Sequence, residues 1–199
     1  GGDWYDVFRI SEHSIGISIG DVAGHGLQAA ALMGSTRQAI RTVAYINDDP
    51  ATVIQEVNRA LCRSDDGIMV TALFATFDLL DGSLRYCLAG HPAPIVVRAD
   101  GAVGTLEGKG LVLGVDGTAD FEAYETQLEV GSALVLFTDG LVETERDYFK
   151  GMADLEQAVE EEYRNASRNI ADAILNRVFA RRSPSDDSML SSRSVRATC

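Results

Sequence analysis

The chain is poor in cysteine and has no long apolar run, and each shortage excludes a class of protein. Its three cysteines, Cys62, Cys87 and Cys199, are widely spaced and form no CxxC pair. This pattern argues against a disulfide framework or a zinc site and favours a reducing cytoplasm. No apolar segment approaches the roughly 18 residues that a membrane span needs, and the sequence does not open with a signal-peptide pattern. We therefore expect a cytoplasmic protein.

Basic residues are also scarce. The chain holds 17 Lys and Arg against 30 Asp and Glu, which gives a formal net charge of -13. Such a surface repels nucleic acid and anionic membranes, so neither is an expected partner. Two explanations of the acidic excess stay open: solubility alone, or a cluster of carboxylates neutralised by metal. With 199 residues, 46% of them hydrophobic, the chain is long enough for one sizeable domain with a buried core.

Strand-like and helix-like segments come in blocks, which predicts the α+β class rather than alternating βαβ units. Strands are predicted from their β-branched and alternating residues at 4–10, 15–19, 69–78, 84–89, 95–98, 121–128 and 132–137. Helices are predicted at 27–46, 52–63, 152–164 and 169–181. The natural architecture is a pair of antiparallel sheets whose faces are covered by helix pairs.

Three segments carry more particular expectations. The strand at 132–137 is almost wholly apolar, so it should be central and buried on both faces. Five glycines between residues 104 and 117 predict a loop. The chain opens on Gly-Gly-Asp, within a strand end, which indicates a fragment of a longer multidomain regulator. We assign residues 1–190 to one domain. Residues 191–199 are too polar for a core strand, and we interpret them as a truncated end, a disordered tail or a segment added to the natural protein.

Two aspartates framed by glycines stand near the start of the chain. Asp3 lies in the opening Gly-Gly-Asp-Trp-Tyr-Asp, and Asp21 lies in Gly-Asp-Val-Ala-Gly-His-Gly. A carboxylate at a strand end beside glycine leaves room for a hard cation and its waters. Oxygen ligands of this kind select Mg²⁺ or Mn²⁺, and two such metals could activate a water and clamp phosphate oxygens. The alternative is that a strand-end aspartate forms a turn or, for Asp21, caps the helix at Leu27.

Further aspartates with a similar setting follow much later. Asp139 comes directly after the apolar strand, and Asp186 and Asp187 form an adjacent pair. A charge at the end of a buried strand needs water, a partner or a metal, and the nearest basic residue to Asp139 in the sequence is Arg146. The joint occurrence of these sites favours metal-dependent phosphate chemistry over isolated turns.

In their order and combination these segments resemble the PPM metal-dependent protein phosphatases, in the bacterial branch typified by the sporulation stage II protein E phosphatase domain. The resemblance covers residues 1 to about 190. It rests on Gly2-Asp3-Trp4-Tyr5-Asp6, Gly20-Asp21-Val22-Ala23-Gly24-His25-Gly26, Ala89-Gly90-His91-Pro92, Thr138-Asp139-Gly140-Leu141 and Ser185-Asp186-Asp187. It implies a four-layer αββα sandwich, with two antiparallel sheets flanked by helix pairs. It also implies hydrolysis of phosphoserine or phosphothreonine in proteins by direct attack of water, with two Mn²⁺ or Mg²⁺ ions.

The resemblance also assigns residues to the metal site. By similarity, Asp3 and Asp21 hold the metal pair together with the backbone carbonyl of Val22, and Asp21 bridges the two ions. Asp139 would complete the site from its far side, and Asp3, Asp21 and Asp139 are the expected catalytic residues. The last ligand would be Asp186, or Asp187 if the register slips by one residue.

Two histidines and two threonines accompany these carboxylates. His25 has two open roles: it could protonate the leaving serine oxygen, or it could order its turn or a nearby water. His91 precedes Pro92 and is interpreted as structural. Thr71 and Thr138 would either position carboxylates or pack within strands.

The partners follow from the same resemblance. The expected substrate is a phosphorylated STAS-type anti-sigma-factor antagonist, and the expected regulator is an upstream sensor or regulatory domain in the same chain. A homodimer is left open. A competing hypothesis is that the chain is a metal-poor pseudophosphatase that acts as a binding or sensing module, and it is motivated by the altered C-terminal segment. A further hypothesis is that the fragment is inactive without its upstream domain.

Overall fold

The computed structural model describes residues 2–64, 67–142, 148–165, 169–180 and 195–198. The helices in these ranges are α1 (Leu27–Ala44), α2 (Pro50–Arg63), α3 (Tyr148–Arg164) and α4 (Ile170–Ala180). The strands are β1 (Trp4–Arg9), β2 (Ser14–Val22), β3 (Val70–Asp78), β4 (Ser83–Ala89), β5 (Ile95–Val97), β6 (Val103–Thr105), β7 (Ala123–Gln127), β8 (Ala133–Phe137) and β9 (Val195–Thr198). They form two units that interleave along the chain, the first from Gly1–Pro92 and Glu107–Leu128 and the second from Ala93–Leu106 and Glu129–Cys199.

The first unit is an antiparallel sheet with one helix pair. Its five strands lie in the order β1-β2-β3-β4-β7, and residues of α1 and α2 pack on one face. Because successive side chains of a strand point to opposite faces, Phe8 and Phe74 face the helices, where they meet Ile40 and Ile54 in one buried cluster. The opposite face carries buried apolar side chains too, among them Ile19.

The start of α2 is fixed by a polar cap. The side chain of Asp49 accepts hydrogen bonds from the backbone N–H and the hydroxyl of Thr52, at 3.0 and 2.8 Å, and Pro50 occupies the first helical turn. This satisfies donors that a helix otherwise leaves open at its N-terminus. The same carboxylate pairs with Arg85 of β4 at 2.5 Å, so the cap also ties α2 to the sheet.

The second unit repeats this plan with a smaller sheet. Its strands lie in the order β6-β5-β8-β9, all antiparallel. All five residues of β8 are buried, and β8 has a strand on each side, so the prediction of a central strand is confirmed. The buried side chains of α3 and α4, such as Leu155 and Ile174, cluster with Val135 of β8. Between the helices, Arg177 of α4 donates to Glu162 of α3 at 2.5 Å.

The α+β class and the two antiparallel sheets with their helix pairs are confirmed, but two short strands differ from the sequence analysis. β6 lies at the start of the glycine-rich segment that was predicted to be a loop, and β9 lies in the segment interpreted as a tail. Each pairs with a neighbour through backbone groups, at an edge of the second sheet. A short strand of mixed polarity can occupy the edge of a sheet, because backbone pairing with its one neighbour holds it there. Across the described ranges, no helix has the length and apolar character of a membrane span.

Candidate metal centre

Asp3 and Asp21 lie side by side at one end of the first sheet. Trp4 of β1 is paired with Gly20 of β2, and the Val22 N–H donates to the Gly2 carbonyl at 3.3 Å. Asp3 therefore stands opposite Asp21 across the strand pair. Side chains that are directly opposite in an antiparallel pair share a face, with Cβ atoms about 4.5–5.5 Å apart. Neighbouring strand ends thus bring two of the predicted carboxylates together, although their role as metal ligands stays a prediction.

The two aspartates of the first motif point to opposite faces of the sheet. Trp4 and Val22 belong to the cluster beneath the helices, so the alternating residues Asp3 and Asp21 face away from α1 and α2. Asp6 lies two residues after Trp4 on β1, so the two side chains share a face of the sheet. Asp6 forms an ion pair with Arg41 of α1 at 3.5 Å. Asp6 therefore links the strand to the helix, whereas Asp3 and Asp21, both partly exposed, lie on the opposite face of the sheet.

The flanking glycines keep this strand end clear. A Cβ atom on Gly2 would lie 2.4 Å from the Val22 carbonyl oxygen and 2.9 Å from Oδ1 of Asp21. A Cβ atom on Gly20 would lie 2.2 Å from the Trp4 ring and 2.3 Å from the Thr71 carbonyl oxygen. The Val22 carbonyl oxygen and the Asp21 carboxylate thus both approach Gly2 more closely than a larger residue would allow. Carboxylate and carbonyl oxygens suit Mg²⁺ or Mn²⁺, so the residues of this strand end fit the implied metal.

A glycine turn leads from the strand end into α1. Gly24 and Gly26 have φ values of 117° and 86°, in the left-handed region that glycine enters at low cost, and His25 between them is exposed. Gly26 is the N-cap residue of α1. The N-cap position that the sequence left open to Asp21 is thus occupied by Gly26.

On its other side, Asp21 has a polar neighbour on the next strand. Thr71 of β3 is paired with Asp21, and Thr71 Oγ1 lies 3.2 Å from Nδ1 of His91. His91 is 6% exposed. Asp3, Asp21, Thr71 and His91 consequently form one polar row across the end of the sheet. The sequence analysis named Thr71 as a residue that would position carboxylates or pack within its strand, and it interpreted His91 as structural.

The remaining predicted ligands lie elsewhere in the chain. Asp139 belongs to the second unit, where it is partly exposed and begins a 3₁₀ turn (Asp139–Leu141) directly after β8. Its carbonyl accepts the Val142 N–H at 2.8 Å, which fixes the backbone of the strand end. Asp186 and Asp187 fall outside the described residues. Within the ranges that the structure describes, no three His, Cys, Asp or Glu side chains are grouped so that they could hold a metal.

Comparison with known proteins gives consistent matches. The family model of Stage II sporulation protein E (SpoIIE) matches residues 11–193. The chain is 32% identical over 182 residues to phosphoserine phosphatase RsbU of Bacillus subtilis, which covers 87% of this chain and 54% of RsbU. It is 26% identical over 147 residues to phosphoserine phosphatase RsbP of the same organism, covering 71% of this chain and 36% of RsbP. The chain thus spans about half or less of these relatives.

Solved structures share the fold. The structure of the RsbU and RsbW domains of Rv1364c from Mycobacterium tuberculosis matches with a TM-score of 0.81 and 26% identity, over 91% of this chain and 51% of that one. The PP2C phosphatase domain of SpoIIE from Bacillus subtilis, solved with a fragment of its regulatory domain, matches with a TM-score of 0.77 and 23% identity, over 92% and 55% of the two chains. These matches confirm the predicted fold.

Proposed function

Because the chain belongs to the Stage II sporulation protein E (SpoIIE) family, we propose that it is a metal-dependent phosphatase that hydrolyses phosphoserine or phosphothreonine in a regulatory protein. The observation that carries the proposal is the strand register that sets Asp3 opposite Asp21. The similarity to RsbU and RsbP, which are named phosphoserine phosphatases, supports the reaction class.

The proposed metals are two Mn²⁺ or Mg²⁺ ions. In the first unit Asp3, Asp21 and the Val22 carbonyl would hold them, and Asp139 and Asp186, or Asp187 in its place, would complete the ligand set. Bound divalent ions polarise a phosphoryl group and lower the pKa of water. The chain itself contributes acidic oxygens fixed at the ends of paired strands, and phosphoryl transfer depends mainly on such positioning and charge complementarity.

His25 is the proposed proton donor to the leaving serine oxygen. The side chain is exposed between two left-handed glycines, so it is accessible to a bound phosphoprotein. The competing role, ordering of the turn, predicts a loss of stability in His25→Ala. Proton donation predicts instead a lower kcat for a phosphoserine protein and little change for p-nitrophenyl phosphate, whose leaving group needs no proton.

The proposed biological setting is a cytoplasmic multidomain regulator. The length of the relatives supports this, since the chain spans 54% of RsbU and 36% of RsbP. We propose that residues 1–190 form the phosphatase domain, extended by β9, and that a sensor or regulatory domain lies in the same protein. The proposed substrate is a phosphorylated STAS-type anti-sigma-factor antagonist.

Substitution of two proposed metal ligands, with an aspartate on the opposite face of the first sheet as control, tests the reaction. Mn²⁺-dependent hydrolysis of p-nitrophenyl phosphate and of a phosphoserine STAS protein is measured for the wild type and three variants. Asp21→Asn and Asp139→Asn should each lower kcat by about 100-fold or more, as expected for groups that stabilise transition-state charge. Asp6→Asn is the matched control, because Asp6 faces α1, and its kcat should stay within about twofold of wild type.

Unchanged activity in both Asp21→Asn and Asp139→Asn would reject the assignment. Calorimetric titration with Mn²⁺ addresses the competing hypothesis. If the wild type binds no Mn²⁺ at millimolar concentration, the chain is a metal-poor pseudophosphatase instead.

A further inference from the structure

We propose that Thr71 and His91 are positioning residues that orient the Asp21 carboxylate through a chain of hydrogen bonds. In this series of hydrogen bonds, His91 Nδ1 donates to the Thr71 hydroxyl, and the hydroxyl in turn donates to the Asp21 carboxylate. The inference rests on the proposed function, because it assigns Asp21 to the metals.

The pairing of β2 with β3 places Thr71 next to Asp21, and His91 contacts Thr71. Asp21 on β2 is paired with Thr71 on β3, so their side chains share a face with Cβ atoms about 4.5–5.5 Å apart. Thr71 Oγ1 lies 3.2 Å from His91 Nδ1, within hydrogen-bonding distance. A threonine hydroxyl between a carboxylate and an imidazole is able to contact both.

The direction of the two hydrogen bonds depends on which nitrogen of His91 carries the proton. A hydroxyl has one proton to donate, and a carboxylate only accepts. If Nδ1 of His91 carries its proton, it donates to Thr71 Oγ1, and the hydroxyl proton is directed to Asp21. If Nδ1 lacks the proton, the hydroxyl donates to His91 instead and gives Asp21 nothing. The orienting role therefore requires the Nδ1–H tautomer.

The backbone around Gly90 holds His91 in this place. Gly90 has a left-handed φ of 67°, and its N–H donates to the Gly110 carbonyl at 2.9 Å. A Cβ atom on Gly90 would lie 2.2 Å from Cγ1 of Val112, so only glycine fits. Pro92 restricts His91 to extended backbone conformations. The imidazole, 6% exposed, is thus fixed against β3 by its neighbours on both sides, as a positioning group requires.

The first test reads the tautomer directly and needs no metal. Nitrogen-15 NMR of the ¹⁵N-histidine-labelled chain distinguishes Nδ1–H from Nε2–H, and His91→Asn identifies the signal. We expect Nδ1–H in the wild type and a shift of the balance towards Nε2–H in Thr71→Val, which removes the acceptor. A wild-type His91 protonated at Nε2 alone would overturn the proposal.

The second test measures Mn²⁺ affinity by calorimetry. Thr71→Val keeps the β-branched shape and should weaken binding about tenfold, the usual cost of removing a group that orients a metal ligand. Thr71→Ser keeps the hydroxyl and should stay within about twofold. His91→Leu should match Thr71→Val, and His91→Asn, whose amide N–H can replace Nδ1–H, should recover part of the loss. The double variant Thr71→Val/His91→Leu should bind Mn²⁺ no more weakly than either single variant, because both substitutions break the same series of hydrogen bonds.

The outcomes separate the two proposals. Thermal unfolding of each variant reports whether it is folded, and a merely structural role would lower Tm without the serine and asparagine rescue. If Asp21→Asn abolishes Mn²⁺ binding while folded Thr71→Val binds like the wild type, the positioning role is wrong and the proposed function stands. If the wild type binds no Mn²⁺, the proposed function fails and the positioning role fails with it.

Discussion

Gly2 lies so close to the carbonyl of Val22 that a Cβ atom at position 2 would stand 2.4 Å from that oxygen. Real Cβ atoms essentially never approach an oxygen so closely, and the contact is with backbone, which cannot rotate away. The residue before Asp3 therefore controls the space beside two of the oxygens proposed to hold metal. Gly2 is therefore a further position, besides the carboxylates, at which the proposed metal centre can be tested.

Gly2→Ala should weaken Mn²⁺ binding about tenfold or more, because the methyl group displaces the Val22 carbonyl and the Asp21 carboxylate. Isothermal calorimetry measures the effect. Gly34→Ala in α1 is the control, since a Cβ there meets nothing within 4 Å. It should leave Mn²⁺ affinity unchanged and raise Tm slightly, because alanine is the better helix former by up to about 1 kcal/mol. Wild-type affinity in Gly2→Ala would contradict the proposed ligand set.

The Asp49 cap predicts a pH-dependent contribution to stability. Burial alone would raise the pKa of Asp49, but hydrogen bonds from Thr52 and the Arg85 guanidinium outweigh it and hold the pKa below its ordinary value. A depressed pKa means that the stabilisation is complete above the unfolded pKa of about 3.9 and is lost as pH falls through the folded pKa.

Asp49→Asn should therefore cost about 1 kcal/mol at pH 7, and the difference from the wild type should shrink as pH falls from about 5 to about 2. Thermal unfolding across this range measures it. Asp120→Asn, at an exposed position, is the control and should follow the wild type at every pH. If the difference in Tm between Asp49→Asn and the wild type grew as pH fell, the prediction of a lowered Asp49 pKa would be wrong.

Cys87 should be inert to thiol reagents in the folded protein. Burial, aided by the carboxylates of Asp49 and Glu122, raises the pKa of Cys87 to about 12, and the residue is 0% exposed. At pH 8 only about one molecule in ten thousand would carry the thiolate, which is the reactive form. Alkylation followed by peptide mass spectrometry should modify the half-buried Cys62 before Cys87, and Cys87 only in denaturant. Equal native rates would show that the first unit opens readily.

Arg177 should stabilise the second unit more than an exposed arginine does. It donates to Glu162, which is 6% exposed, so Arg177→Met removes the guanidinium from a buried carboxylate and should lower Tm clearly. Arg164→Met is the control, because its pair with Glu160 at 2.6 Å lies on the surface and should matter little. Adding Glu162→Gln to Arg177→Met should restore part of the loss. A Tm change no larger than that of Arg164→Met would reject the assignment.

The long elements of the fold were predictable because their patterns are local. The apolar run of β8 indicated a central strand, and the structure buries all five of its residues. β6 and β9 were not predictable, because three or four residues of mixed polarity carry no periodic signal. β6 exists through backbone pairing with β5 in a short hairpin, and β9 through pairing with β8, which lies far away in the sequence.

At the candidate metal centre, too, local relationships could be predicted and those set by tertiary packing could not. The closeness of Asp3 and Asp21 could be predicted, since a short hairpin joins their strands and fixes the register. The place of Thr71 could not, because two helices separate β2 from β3 and only tertiary packing sets that register. His91 was assigned a structural role from its place before Pro92, and its contact with Thr71 depends on tertiary packing. Asp186 and Asp187 remain sequence predictions.

The interleaving of the two units has a consequence for how the chain can be made. The first sheet lacks β7 until residue 127 has been synthesised, after the strands at 95–97 and 103–105 of the second unit. Those two strands must in turn wait for β8, so closing both sheets requires contacts of long sequence separation, which slow folding. Because the segments alternate, no single cut of the gene yields two whole units. Expression boundaries, split reporters and domain fusions must therefore treat both units as one indivisible insert.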